Sequence, residues 1–471
     1  MDDESRTPEL PLSRRALVGR GVAAAAFLSL PARWREGGAT DPLAGAAPRY
    51  RETAFAAERW IAQSAIRDGD RWEWPTDPAD VASVQRDLYS GTPGVVLFYL
   101  ELWHATGDRR WLEPIRSGAR QLAATLPVSA ASLGEEGAGL YTGTAGVAYV
   151  LEMAHRATGD QTLADGRARA VSLLRASLAP AGSGAGWNPS TDIISGSGGI
   201  LLTLRWLDQH GGAWKDWRRD AIRVGDRLIE VATPEQGGLK WGIASAVPRR
   251  YPNFSHGTAG VSFVLATLSQ ETQERRFLDA ALAGERYLQA IGTRTVHDGF
   301  KVFHSEPGGE SLYYLSWCHG PAGTARLYHR LAEVTGDTKW RAMLPRLAQG
   351  IVDSGVPDQH PDGSGYWNNI SQCCGASGVV EFFIAMHAMT GDSGHLTFAQ
   401  RVMDDAVQRG TADGDGMKWV QAEHRVRPEL LVAQTGLMQG AAGVGLALLH
   451  LDGAMVGRKP LVVLPDAPQW A

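Results

Sequence analysis

The sequence predicts an all-α fold: an inner and an outer ring of seven helices each, closed into a toroid. Three observations carry this reading. A Gly-x-x-Gly recurs seven times, at Gly91/Gly94, Gly143/Gly146, Gly196/Gly199, Gly257/Gly260, Gly320/Gly323, Gly375/Gly378 and Gly440/Gly443. The first glycines are 52, 53, 61, 63, 55 and 65 residues apart, and each pair opens an apolar run of helical length. Four runs end in Thr-Gly-Asp, and those glycines (Gly107, Gly159, Gly336, Gly391) each lie 16 residues after the first glycine of their own repeat. A near-regular period of this size marks a recurring supersecondary unit.

The inner helices are read from the runs at 95–100, 147–151, 200–202, 261–265, 379–384 and 444–449; the run after Gly323 is the weakest. Helices apolar on most faces must be buried all round. Gly at their starts is expected to let backbones crowd together and to reach positive φ. Gly at C′, with Asp after it, is expected to stop them. The outer helices are read from amphipathic stretches such as 109–126, where Trp111, Leu112, Ile115, Ala119, Leu122 and Leu126 recur mostly at spacings of 3 to 4. The glycine loops should then gather at one end of the barrel. Chemistry is expected there.

Composition bounds the function classes. Among 471 residues, 46 Lys and Arg face 51 Asp and Glu, a net charge of −5 that argues against electrostatic binding of nucleic acid. A hydrophobic share of 44 % suits a large core, and three cysteines cannot form a disulfide framework. Residues 1–46 read as a leader, with residues 47–471 as one toroidal domain. Arg14-Arg15, the short apolar run 21–30 and the small-residue site Ala44-Gly45-Ala46 resemble a twin-arginine-type signal. That route implies export of a folded protein; the alternative is a disordered extension on a cytoplasmic chain. Ten residues make about 15 Å of helix, too short to span a membrane, and no segment approaches 18 apolar residues.

All three cysteines fall on the glycine loops: Cys318 in Trp317-Cys318-His319-Gly320, and Cys373 and Cys374 just before Gly375. Three thiols brought to one rim from adjacent repeats make a soft three-ligand site, and three protein ligands with one open position is the catalytic zinc pattern. Buried small hydrophobes or a vicinal disulfide are the plainer alternatives. His256 immediately precedes Gly257, and Asp192 lies four residues before Gly196. An imidazole at a cavity mouth suits proton transfer near neutral pH. Helix capping is the plainer role for Asp192 and His256, or, for His256, mere exposure. No G-x-S-x-G, H-E-x-x-H or Walker pattern occurs.

These residues resemble the lanthionine synthetase C-like cyclases, over essentially all of residues 50–455. The likeness rests on the seven glycine loops, Trp317-Cys318-His319-Gly320, Cys373-Cys374-Gly375 and Ser255-His256-Gly257. The resemblance implies an α,α-toroid, with zinc (Zn2+) held by Cys318, Cys373 and Cys374. The Cys-Cys pair matches one branch, since most members carry Cys-His there. It further implies that Asp192 and His256 are the acid/base pair, with His319 at a position where Tyr or His is usual. One departure stands out. Some members carry Arg four residues before the first Cys, and here that residue is Tyr314.

The implied reaction adds a peptide cysteine, held as thiolate, to dehydroalanine or dehydrobutyrine, with His256 protonating the α-carbon. The implied partners are a dehydrated Cys-containing peptide and a separate dehydratase. A three-thiolate site carries one more negative charge than Cys₂His, which predicts a more nucleophilic bound thiolate. Two other functions fit less of the sequence: a non-catalytic zinc-thiol or peptide-binding protein, and a toroid-fold glycoside-processing enzyme. The latter needs two facing carboxylates, and Asp192 is the one acid placed on a glycine loop.

Overall fold

The computed structural model describes residues 47–134, 137–244, 246–358 and 366–470. The leader read at 1–46 lies outside them. Seven inner helices follow the seven glycine loops: α2 (Thr92–Thr106), α4 (Thr144–Thr158), α6 (Ser197–Gln209), α8 (Thr258–Thr272), α10 (Pro321–Thr335), α13 (Ala376–Thr390) and α15 (Ala441–Met455). Seven outer elements alternate with them: α1 (Ala47–Gln63), α3 (Leu112–Ala124), α5 (Gln161–Ser177), α7 (Trp217–Glu230), α9 (Arg275–Ile291), the broken pair α11 (Thr338–Arg341) and α12 (Met343–Val352), and α14 (Ser393–Gln408). Each inner helix packs against the next, and α15 returns to α2, so the ring closes; α1 packs on α15 as its outer partner. The toroid is as predicted.

The glycines work differently at the two ends of the inner helices. At the far end Gly107, Gly159, Gly336 and Gly391 adopt left-handed φ near 70°, as expected for C′. The Asp after each does not close that helix; its side chain caps the next, outer one, as Asp160 does for Thr162 N–H of α5. At the near end the expectation of positive φ is wrong: the first glycines are extended, from −92° at Gly196 to −162° at Gly143. Crowding alone demands glycine there. A Cβ on Gly257 would stand 1.4 Å from the Tyr251 carbonyl oxygen, and one on Gly323 would stand 1.9 Å from that of Trp317.

This crowding caps the inner helices. None uses a side chain at its N-cap; instead a loop carbonyl accepts from the first helical N–H, as Tyr251 does from Thr258 at 3.2 Å. The loops are also stitched to one another. Tyr89, Tyr141, Ile194, Ser255, Cys318, Cys373 and Met438 each stand two residues before the first glycine of their repeat. Backbone bonds of 2.8–3.0 Å run Tyr89 to Tyr141, Tyr141 to Ile194, Ser255 to Cys318, Cys318 to Cys373, Cys373 to Met438 and Met438 to Tyr89. Ile193, one residue earlier, supplies the missing link to Ser255 at 3.0 Å. The circle is complete.

Short strands, which the helical periodicity did not predict, decorate the rim. Five outer helices are followed by antiparallel hairpins: β1 (Ile66–Asp68) with β2 (Arg71–Glu73), β3 (Ala179–Ala181) with β4 (Gly184–Gly186), β5 (Thr233–Glu235) with β6 (Gly238–Lys240), β7 (Thr293–Arg294) with β8 (Phe300–Lys301), and, past β9 (Tyr313–Tyr314) and β10 (Tyr366–Trp367), β11 (Thr411–Asp413) with β12 (Gly416–Lys418). β9 and β10 pair in parallel between repeats five and six, and β13 (Val420–Ala422) pairs with β14 (Leu431–Ala433). Tryptophans anchor three of these hairpins. The indoles of Trp187, Trp241 and Trp419 each donate to a carbonyl near the end of the preceding outer helix, at 2.7–2.8 Å. No helix among the described residues is long and apolar enough to cross a membrane.

Candidate metal centre

Cys318 and Cys373 share one position of the repeat, two residues before its first glycine, and the peptide N–H of Cys318 donates to the carbonyl of Cys373. Cys374 follows directly. The circle of loop hydrogen bonds therefore delivers all three thiols to one point. Cys374 Sγ lies 3.3 Å from both Cys318 Sγ and Cys373 Sγ, and all three sulfurs fall within 4.8 Å of one another. All are buried and none is in a disulfide, so the vicinal bridge between Cys373 and Cys374 is not formed.

This donor set fits a metal ion. Tetrahedral zinc–thiolate bonds of about 2.3 Å place sulfurs about 3.8 Å apart, inside the observed span. The three thiols do not ionise alike. Burial pushes the Cys318 thiol well up, helped by its hydrogen bonds to Cys373 and Cys374 and by their charges. Burial opposes ionisation of Cys373 too, but hydrogen bonds from Cys318, Cys374 and Tyr89, with the charge of His256, outweigh it.

Asp192 and His256 meet beside the cluster. His256 Nδ1 lies 2.5 Å from Asp192 Oδ2, while the other carboxylate oxygen accepts from Ser195 N–H at 3.0 Å and Gly196 N–H at 2.6 Å. Asp192 is thus the histidine partner and a tie within its own loop; it is not a helix cap, since both N–H groups precede α6. It is fully buried, and His256 keeps 17 % of its side-chain surface exposed. His319, one residue after Cys318, stacks on His256 with ring centroids 5.7 Å apart.

Tyr314 does not replace an arginine in kind. It is buried, its ring 4.3 Å from that of His304. His304 and Tyr251 had no sequence signal, because neither stands on the last residues before a repeat glycine. They complete an aromatic wall: Tyr251 lies 4.8 Å from His319 and 5.9 Å from His256, and His304 lies 4.7 Å from His319. Burial, with the charges of Arg425, Arg249 and His256, pulls the His304 pKa to about 3. Burial and the neighbouring imidazoles of His304 and His256 depress His319 as well. Both rings are neutral at pH 7.

The lanthionine synthetase C-like profile matches residues 82–457. The chain belongs to this family. Among solved structures, nisin cyclase is similar at a TM-score of 0.56 and 16 % identity, over 86 % of this chain and 94 % of that one. An unsaturated glucuronyl hydrolase specific for heparin (TM-score 0.45, 12 % identity, 87 % and 98 % covered) and cellobiose 2-epimerase from Spirochaeta thermophila (0.44, 14 %, 89 % and 99 %) are similar at lower scores. At such identities the likeness concerns the fold. No curated protein matches. For this family member, the cysteine cluster lies inside the matched segment, as do Asp192, His256 and His319.

Proposed function

We propose that this chain is a zinc-dependent thioether cyclase, closing lanthionine or methyllanthionine rings in a dehydrated, Cys-containing peptide. The observation that carries the proposal is three buried, unbridged cysteine sulfurs within 4.8 Å, flanked by a hydrogen-bonded Asp192–His256 pair. Held by Cys318, Cys373 and Cys374, zinc would offer an open position at which a substrate thiol ionises at neutral pH.

The chain's own residues then handle the proton. Asp192 engages Nδ1 of His256, so proton exchange with the substrate falls to Nε2. As sulfur bonds the β-carbon of dehydroalanine or dehydrobutyrine, the C=C electrons move to the α-carbon, and His256, having taken up at Nε2 the proton that the thiol released, delivers it there. One thiol and one double bond are consumed, one C–S and one C–H bond form, and no oxidant or reductant is needed. The neutral rings of His319 and His304 do not compete as acids. With Tyr251 and Tyr314 they wall that side of the site against water.

The peptide reaches the enzyme already dehydrated, by a separate dehydratase. Arg14-Arg15 and the apolar run 21–30 support export of the folded protein by a twin-arginine-type route. Metal analysis of the purified chain and of Cys318→Ala, followed by incubation with a dehydrated Cys-containing peptide, tests the proposal. Stoichiometric zinc lost in the variant, with disappearance of free thiol in the wild type, is expected. Zinc without thiol loss would instead indicate a zinc-thiol binding protein, the outcome that Tyr314 at the arginine position favours.

A further inference from the structure

A line of polar side chains, all buried except the half-buried Tyr89, runs from the sixth glycine loop to one of the cysteine sulfurs, and its direction is forced. Ser371 N–H, which can only donate, meets Asn369 Oδ1 at 3.0 Å, and the Ser371 hydroxyl meets the same oxygen at 2.7 Å. The Asn369 amide nitrogen is therefore on the other side, where it donates to the Ala422 carbonyl at 3.3 Å and to Gln439 Oε1 at 3.4 Å. With that oxygen engaged, Gln439 Nε2 lies 2.9 Å from Tyr89 Oη and 3.9 Å from Cys374 Sγ. An amide nitrogen has no lone pair to offer, so Tyr89 Oη accepts from it. The phenolic proton must go elsewhere, and the Cys373 side chain is within hydrogen-bond reach of the hydroxyl.

We propose that Tyr89 is a positioning residue of the metal centre, donating its phenolic hydrogen bond to the Cys373 sulfur, with Gln439 setting that direction and serving Cys374 as a weaker second donor. The inference rests on reading the cysteine cluster as a metal site. The physical need is clear. Three thiolates around a divalent ion leave a net negative charge in a buried pocket, and hydrogen bonds to sulfur draw that charge off. Such donors restrain a site that is otherwise more electron-rich than one with two thiolates and an imidazole.

The topology adds a further point. Tyr89 belongs to the first repeat and Gln439 to the seventh, and neither repeat supplies a cysteine. They reach the centre because the ring closes: Cys373 N–H donates to Met438 O, and Met438 N–H donates to Tyr89 O. Closure of the toroid completes the surroundings of the sulfurs.

The test uses the full chain with cobalt(II) bound, whose sulfur-to-metal charge-transfer absorption reports electron density on the thiolates. Tyr89→Phe should move this band to longer wavelength and weaken zinc about tenfold in competition with a chelator. Gln439→Glu separates direction from packing. Its carboxylate would accept the Tyr89 proton and pull it from Cys373, so the band should move the same way with the phenol still in place. A red shift in both variants supports the relay. An unchanged band in Tyr89→Phe, with cobalt bound, overturns the relay and leaves the metal reading intact. A shift in Tyr89→Phe but not in Gln439→Glu overturns the direction assigned here. A wild-type chain that binds no cobalt overturns both the relay and the metal reading.

Discussion

His256 and Asp192 stand 64 residues apart in the chain, yet Nδ1 of one lies 2.5 Å from Oδ2 of the other. The glycine loops of the third and fourth repeats bring them together, through the link from Ile193 N–H to the Ser255 carbonyl. Because Asp192 also accepts from Ser195 and Gly196, its two substitutions should part company. Asp192→Asn keeps the oxygen that holds the loop but presents an N–H to His256, so melting should barely move while cyclisation slows about 100-fold. Asp192→Ala removes the bonds to Ser195 and Gly196 as well and should cost about 1–3 kcal/mol of stability on top of the rate. Thermal melts beside single-turnover thiol consumption would separate the effects; equal melting losses in both variants would contradict the dual role.

Two buried histidines should give the fold a stability maximum near neutral pH. His450 sits inside the barrel, with Nδ1 2.8 Å from Glu381 and Nε2 3.4 Å from Glu101. Burial alone would lower its pKa, but the charges of Glu381 and Glu101 outweigh that and lift it to about 10. The folded chain therefore keeps a proton that the unfolded chain releases above about pH 6.5, and stability falls from there toward pH 10. His304, held down at about 3, works in the other sense. Below about 6.5 the unfolded chain takes up a proton that the folded one refuses, so stability falls as pH falls. Each limb has a slope of up to about 1.4 kcal/mol per pH unit. Urea midpoints between pH 5 and 9 should show the dome, and His450→Gln should flatten its alkaline side. An alkaline limb unaltered in that variant would rule His450 out as its cause.

How much of this was legible follows from where each residue stands. Cys318, Cys373, Cys374, His256 and His319 occupy the last two places before a repeat glycine, so the period alone located them. Asp192 sits two places earlier, and its loop still presents it to His256. Tyr251 and His304 lie outside that window and reach the site by packing, which no periodicity records. Tyr89 and Gln439 stand in the window without a signal of their own. A Tyr and a Gln carry no chemistry until the closed ring sets them beside sulfur. The positive φ expected at the first glycines failed for a related reason: glycine frequency does not distinguish a turn that needs its torsion from a backbone that needs its missing Cβ.

That distinction can be measured with two alanines. Gly159 has φ of 70° and open space where a Cβ would stand, so Gly159→Ala should cost about 1–2 kcal/mol through torsion alone. Gly323 has an ordinary torsion, but a Cβ there would meet the Trp317 carbonyl oxygen at 1.9 Å and Phe254 Cβ at 2.8 Å. Relief requires moving the loop that carries Cys318, so Gly323→Ala should cost about 1–3 kcal/mol and also weaken metal binding. Chelator competition is the decisive readout. Zinc affinity reduced equally in both variants would show that the loss is global rather than local to the loop.

The carboxyl-terminal segment supplies the last prediction. After α15 the chain runs back into the barrel, where Glu101 accepts the Leu461 and Val462 amides at 3.0 and 2.9 Å. It places a fully buried Asp466 beneath the loops. Trp317 Nε1 donates to that carboxylate at 2.8 Å, Tyr141 Oη at 3.1 Å and Arg326 Nη1 at 3.0 Å. Trp317 adjoins Cys318, and Tyr141 is a member of the loop circle, so the segment braces the same ring that presents the cysteines. Asp466→Ala would strand a largely buried guanidinium together with an indole and a phenol, which should cost about 3–5 kcal/mol. Asp466→Asn retains an acceptor and should cost less, while still leaving Arg326 without its counter-charge. Denaturant melts of the two variants give the order. If Asp466→Ala proves as stable as the wild type, the segment is an appendage and not a brace.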